Sequence, residues 1–217
     1  MNLIKQNSGT MLVIWAILLG TALVALGLAR WSLAFVSFAT LALSLVPPLL
    51  AARWSLTLPL PFLLFTTLFF FASIFLGEAF DFYERVWWWD LALHGTSAIG
   101  FGLTGFLFVF MLFAGDRFAA PPSAIAFISL CVAMTVGATW EIFEYAMDTA
   151  WGLNMQKSGL DDTMGDLILN AIGGLIASVT GYFCLRRNAA GLLGLGLSQF
   201  IQMNRRLYLK YKEKLKK

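Results

Sequence analysis

The chain has 217 residues, of which 59% are apolar and only 12% charged, with a formal net charge of +3. Soluble domains carry about 25% charged residues, so this composition excludes a soluble enzyme and points to one polytopic membrane domain. The basic residues crowd one terminus and form no folded patch interleaved with aromatics, which argues against a nucleic-acid partner.

Taken in chain order, six apolar stretches approach the roughly 20 residues that cross a bilayer. They run from Thr10 to Ala29, Trp31 to Ala52, Pro59 to Gly77, Leu91 to Gly115, Ser123 to Met147 and Thr163 to Leu185. The expected fold is all-α: a transmembrane helix bundle of about six spans in residues 1–188, then a C-terminal amphipathic basic helix in 189–217. Arg30 alone separates the first two spans, which read as two full spans, a tight hairpin or a re-entrant piece. The first span exceeds the 7–15 apolar residues of a signal-peptide core, so it reads as a retained helix.

Orientation follows from Lys and Arg in the short loops. One side carries Lys5, Arg53, Arg117, Arg186, Arg187 and the basic tail, and the other carries Arg30, Arg85 and Lys157. The expectation is a multi-pass protein of a bacterial inner (plasma) membrane with both termini cytoplasmic. Cys131 and Cys184 then fall near the cytoplasmic ends of spans five and six and read as reduced thiols.

Twelve residues are acidic, and ten of them fall in two windows assigned to the outer side. The first window holds Glu78, Asp81, Glu84 and Asp90; the second holds Glu141, Glu144, Asp148, Asp161, Asp162 and Asp166. Glu78, Asp81 and Glu84 read as solvated loop charges within an aromatic, interfacial segment. Span four opens Trp87-Trp88-Trp89-Asp90, and His94, the single histidine, is the i+4 neighbour of Asp90 on one helix face. The three tryptophans read as an interface belt. In span five, Glu141, Glu144 and Asp148 share a stripe at i, i+3 and i+7, with Gly137 and Ala133 below. In span six, Asp162, Asp166 and Asn170 share a face that Gly173, Ala177 and Gly181 extend inward with small residues. Asp161 or Asp162 reads as a helix cap. Capping does not account for Asp166 or Asn170, which lie further in.

His94, Glu141 and Asp166 each sit about 5–10 Å below the outer surface at a 1.5 Å rise per residue. Ionisable groups at such depth are costly and default to a functional reading. Crowded carboxylates cannot all stay ionised, so either some take up protons or a cation neutralises them. The candidate metal ligands are Glu141, Glu144, Asp148, Asp162, Asp166, Asn170 and His94, and the candidate catalytic groups are His94, Asp90 and Glu141. This set is rich in hard oxygen donors, which favours Mg²⁺, Mn²⁺ or Ca²⁺ over Zn²⁺ or Fe. The bland reading of His94 is a structural histidine bonded to Asp90 or a facing carboxylate.

The tail places Leu197, Phe200, Ile201, Tyr208, Tyr211 and Leu215 at a helical period among Arg and Lys. It reads as an amphipathic helix on the anionic lipids of the inner leaflet, or as a solvated basic tail over its last ten residues.

Three elements together carry a family resemblance: Asp90-x-x-x-His94, Trp140-Glu141-x-x-Glu144-Tyr145, and Asp162-Thr163-x-x-Asp166-x-x-x-Asn170-x-x-Gly173. They resemble the YjdF-type inner-membrane family, which has no established activity, and more distantly VanZ-like proteins, some linked to glycopeptide-antibiotic resistance. The likeness spans roughly Phe80 to Gly181. VanZ-like chains often have Glu-x-x-Gln where this one has Glu141-x-x-Glu144. The resemblance implies a site at the three polar faces and no particular reaction.

The leading expectation is an integral membrane protein with an outward-facing carboxylate and histidine pocket. It would be a divalent-cation-dependent hydrolase or transferase acting on a lipid or lipid-linked envelope substrate. The alternatives are a cation or proton transporter or channel component, and a non-catalytic lipid-headgroup binding or scaffold protein. Transport is weakened by the apolar inner halves of spans four to six. The sequence gives membrane lipids as partners and no oligomeric state.

Overall fold

A computed structural model describes residues 9–112, 121–187 and 192–204. All regular structure among these residues is helical. Six helices are long and apolar enough to cross a membrane: Gly9–Gly27, Trp31–Arg53, Leu60–Ala79, Trp89–Phe110, Pro122–Trp151 and Leu160–Arg186. Large apolar side chains such as Val24, Phe35, Phe108 and Ile142 point outward. That is the expected surface where lipid is the solvent and gives helices no apolar reason to associate. The described residues form two compact units, 9–89 with 199–204, and 90–198 without the segments outside the described set.

In the first unit, α1 (Gly9–Gly27) and α2 (Trp31–Arg53) are separate helices of 19 and 23 residues. The reversal between them is a Schellman turn. The Arg30 amide donates to Ala25 O (2.8 Å), the Ala29 amide to Leu26 O (3.1 Å), and Ala29 takes φ +54°. The end of α2 repeats the device. Ser55 has φ +56°, and the Leu56 amide reaches Ala51 O at 2.8 Å. The first two spans are therefore two full helices, not a re-entrant piece.

The third span is α3 (Leu60–Phe70), a π-helical turn (Phe71–Leu76) and α4 (Gly77–Ala79). The short α5 (Phe82–Arg85) folds back so that the Tyr83 ring lies against Gly77. A side chain at position 77 would overlap that ring, its Cβ only 2.9 Å from Tyr83 Cζ. Ile14, Leu18 and Phe75 form the buried apolar cluster of this unit.

The second unit is built from α6 (Trp89–Leu112), α7 (Pro122–Trp151) and α8 (Leu160–Arg187). Small residues let the three helices approach closely. A Cβ added at Gly173 would lie 2.6 Å from the Gly95 carbonyl of α6, and one at Gly102 would lie 2.6 Å from Ala177 Cβ of α8. Two buried hydroxyls tie α7 to its neighbours: Ser129 of α7 donates to Gly102 O of α6 (2.7 Å) and Ser178 of α8 to Ala126 O of α7 (2.6 Å). Below them Phe106, Val109, Ile125, Cys184 and Leu197 form an apolar cluster. Cys131 and Cys184 are free thiols.

The last described helix, α9 (Leu192–Met203), is amphipathic as expected of the tail, with Leu195 and Met203 exposed and its other face packed inward. Leu197 is buried in the second unit and Phe200 is also buried. In the first unit, buried Asn204 accepts from the Thr57 amide and donates to the Thr57 carbonyl, both at 2.8 Å. The start of this segment is thus packed into the protein. Its basic half, residues 205–217, lies outside the described residues, as do the end of the fourth expected span and Arg117.

Candidate functional site

The three polar faces meet within the second unit. His94, on the second turn of α6, is buried at 8% exposure. Its ring is flanked by one carboxylate from each helix. Nε2 lies 3.7 Å from Asp90 Oδ1 on its own helix and 3.7 Å from Asp166 Oδ2 on α8. Nδ1 lies 3.7 Å from Glu141 Oε1 on α7. The i,i+4 spacing brings Asp90 to the histidine. The close helix seams, with Gly173 against Gly95 and Gly137 against Asn170, bring in the other two.

These separations are too long for hydrogen bonds, which end near 3.2 Å. They come within about 0.1 Å of another arrangement. Two ligands each about 2.1 Å from one small divalent cation, at angles of 90–120°, lie about 3.0–3.6 Å apart. One donor atom each from Asp90, His94 and Asp166 all fall within 4.8 Å of one another.

The polar atoms here are short of partners. Asp166 and Asn170 are each 1% exposed and Glu141 4%. Neither oxygen of Asp166, Asp162 Oδ2 nor Asn170 Nδ2 has a hydrogen-bond partner, while the Thr163 side chain lies beside the Glu141 carboxylate. A buried polar group left unpaired costs about 1–3 kcal/mol, and more when charged. Native proteins leave few such groups, and a cluster of them calls for an explanation. Asn170 sits one turn below Asp166, its side chain against Gly137, where any Cβ would lie 2.5 Å from the amide carbon.

The other candidates divide by what they contact. Buried Glu144 accepts from the Trp140 indole N–H at 2.9 Å, so Trp140 holds it from the preceding turn of the same helix. Asp162 is half-buried at the head of α8. Asp148 has a different occupation: its two oxygens accept the Met155 and Gln156 amides at 2.6 and 2.8 Å. It thereby closes the loop that follows α7. That loop begins at Gly152 with φ +65°, which a glycine adopts without strain. The Gln156 side chain donates to the Thr163 hydroxyl at 2.6 Å on α8. Asp161 is exposed in the first turn of α8. Asp81 is exposed in the first unit and pairs with Arg85 at 3.6 Å.

The residues that sequence periodicity did not single out are Trp140, Gln156 and Thr163. Trp140 carries a visible signal, an indole four residues before a buried glutamate. The Gln156–Thr163 bond crosses a loop, where no period applies.

A family model described as "Predicted membrane protein (DUF2238)" matches residues 11–187. An "Uncharacterized protein" of Thermotoga maritima is 30% identical over 112 residues, which are 50% of this chain. The match spans 57% of that relative's length. No solved structure matches.

Proposed function

This chain belongs to the DUF2238 family of membrane proteins, and from that premise we propose that its second unit is a divalent-cation site serving chemistry on a membrane substrate. Asp90, His94 through Nε2, and Asp166 are the ligands. Glu141 faces Nδ1 at 3.7 Å, and its charge favours the tautomer with the proton on that nitrogen, leaving Nε2 for the metal. This narrows the wider ligand set: Glu144, Asp162 and Asn170 line the surroundings, and Asp148 holds the loop. The single observation that carries the reading is the 3.7 Å spacing of three carboxylates about a buried histidine, with both oxygens of Asp166 otherwise unpartnered.

Two carboxylates and one imidazole favour Mn²⁺ or Mg²⁺. Three protein ligands leave positions for water and substrate. A bound ion would polarise a substrate oxygen and make a bound water a better nucleophile. The chain's own groups orient the imidazole through Glu141 and hold Glu144 in place through Trp140. The loop distribution of Lys and Arg favours an outward-opening site in a bacterial inner membrane. The substrate class that fits a site within one to two turns of the surface is a lipid or lipid-linked headgroup. The YjdF-type resemblance agrees with this placement.

The test is purified protein assayed for bound metal and for headgroup release from envelope lipids. Both are expected in the wild type and both are lost in His94→Ala and Asp166→Asn. Unchanged metal content and unchanged turnover in these variants would overturn the proposal.

A further inference from the structure

We propose that a cleft in the first unit binds a zwitterionic phospholipid with a primary-amine headgroup, of the phosphatidylethanolamine type. The inference does not depend on the metal reading above.

The cleft opens where α2 begins and the third span ends. Its volume is about 350 Å³, within the roughly 300–1,000 Å³ of small-ligand sites. Two opposite charges border it: Arg30, at the start of α2, and Glu78, on α4. Ser32 adds a hydroxyl beside Arg30. The rest of the lining is apolar. Leu33 and Val36 continue down α2, and Ala79 belongs to the third span. Trp31, 68% exposed, stands at the rim, where a tryptophan marks the headgroup level of a bilayer. Val36 is five residues beyond Trp31, or about 7.5 Å deeper at 1.5 Å per residue. The lining thus passes from charged to apolar in the direction in which a phospholipid does.

Both charges stand on fixed backbone. The Arg30 amide donates to Ala25 O at 2.8 Å, and its carbonyl accepts from the Ala34 amide at 3.1 Å. Glu78 follows Gly77, which the Tyr83 ring covers, and the π-helical turn before it alters the face that the end of the span presents. Charges held on fixed backbone lose less freedom on binding than charges on a free loop, because that cost has been met in folding.

The charge pair selects the headgroup. A guanidinium binds phosphate through two parallel N–H donors. A primary ammonium brings three N–H donors to a carboxylate. Phosphatidylethanolamine carries phosphate and ammonium two carbons apart, so one headgroup meets both Arg30 and Glu78. Phosphatidylglycerol brings the phosphate but no cation for Glu78. Phosphatidylcholine brings a cation without an N–H donor. A soluble zwitterion makes no use of Leu33 and Val36, which suit the glycerol and the first acyl carbons.

The experiment uses the full chain in detergent. Native mass spectrometry measures its affinity for dioleoyl phosphatidylethanolamine, phosphatidylglycerol and phosphatidylcholine. The wild type is expected to bind phosphatidylethanolamine about tenfold more tightly than the other two, the lower end for one charge-assisted bond. Arg30→Gln is expected to lose about tenfold for phosphatidylethanolamine, and Arg30→Lys to retain part of it. Glu78→Gln is expected to bring phosphatidylethanolamine down to the level of phosphatidylcholine without weakening phosphatidylglycerol. Both side chains are exposed, and melting temperatures equal to wild type show that the variants are folded. Equal wild-type affinity for the three lipids, or a preference for phosphatidylethanolamine that survives both Arg30→Gln and Glu78→Gln, would overturn the proposal. So would a preference for phosphatidylglycerol, which would make the cleft a plain anion site.

Discussion

Replacing Asp166 by Asn should make the metal-free protein more stable while removing its response to metal. The side chain is 1% exposed and neither oxygen has a hydrogen-bond partner. The substitution keeps the shape, removes an ionisable carboxyl from a crowded acidic cluster and supplies a donor for the carboxylates around His94. Relief of the unpaired group is worth about 1–3 kcal/mol. In the wild type, metal at a hundred times its dissociation constant adds about 2.7 kcal/mol. At roughly 2–4 °C per kcal/mol for a domain of this size, that is about 5–11 °C in melting temperature. Melting of detergent-solubilised protein, with chelator and with Mn²⁺, gives all four values. The expected order is Asp166→Asn above wild type in chelator, with only the wild type rising on Mn²⁺. A variant that melts lower than wild type in chelator, or that gains as much from Mn²⁺, would refute the reasoning. Asp166 would then be a structural group satisfied in some other way.

Glu141→Gln should retain metal binding but weaken it about 10–100-fold, the usual cost of losing the carboxylate behind a metal-bound histidine; Mn²⁺ titration measures it, and full loss of binding would make Glu141 a direct ligand. Gly137→Leu should drive α7 and α8 apart at Asn170, since even a Cβ there meets the amide carbon at 2.5 Å; a destabilisation of about 1–3 kcal/mol or more is expected, read as a lower melting temperature in chelator and in metal alike. Asp148→Ala should free the Met155 and Gln156 amides. Charged-group hydrogen bonds are worth about 1.5–3 kcal/mol, so hydrogen exchange at those two amides should quicken by roughly tenfold to a hundredfold, with Mn²⁺ binding unchanged. Loss of Mn²⁺ binding there would restore Asp148 to the ligand set.

The spans were legible because each is a long apolar run, and hydropathy registers that directly. Their ends were less so. Span five was expected to stop at Met147, yet α7 runs to Trp151, and α8 begins at Leu160, ahead of Thr163. Charged residues end an apolar run but not a helix. Asp161 and Asp162 favour the first turn they occupy. The turns after α1 and α2 were hidden because Ala29 and Ser55, not glycines, take the left-handed conformation. The π-helical turn at Phe71–Leu76 has no compositional mark.

Within the site, periodicity grouped Asp90 with His94, Glu141 with Glu144, and Asp166 with Asn170. The fold brings His94 against Asp90, Glu141 and Asp166. Periodicity also put Asp148 in the stripe of Glu141, because it sees faces and not depth. One further turn along the helix, Asp148 meets its own loop and binds two amides there. The division between Asp90 and Asp166 at Nε2 and Glu141 at Nδ1 could not be read from spacing. It depends on which edge of one imidazole each helix approaches.

Elemental analysis of the purified full chain, alongside His94→Ala and Asp166→Asn, tests the central claim most directly. The account predicts about one divalent cation per wild-type chain, removable by chelator and restored by Mn²⁺, and little or none in either variant. A wild-type protein that holds no cation after Mn²⁺ reconstitution, or variants that hold as much as wild type, would contradict it.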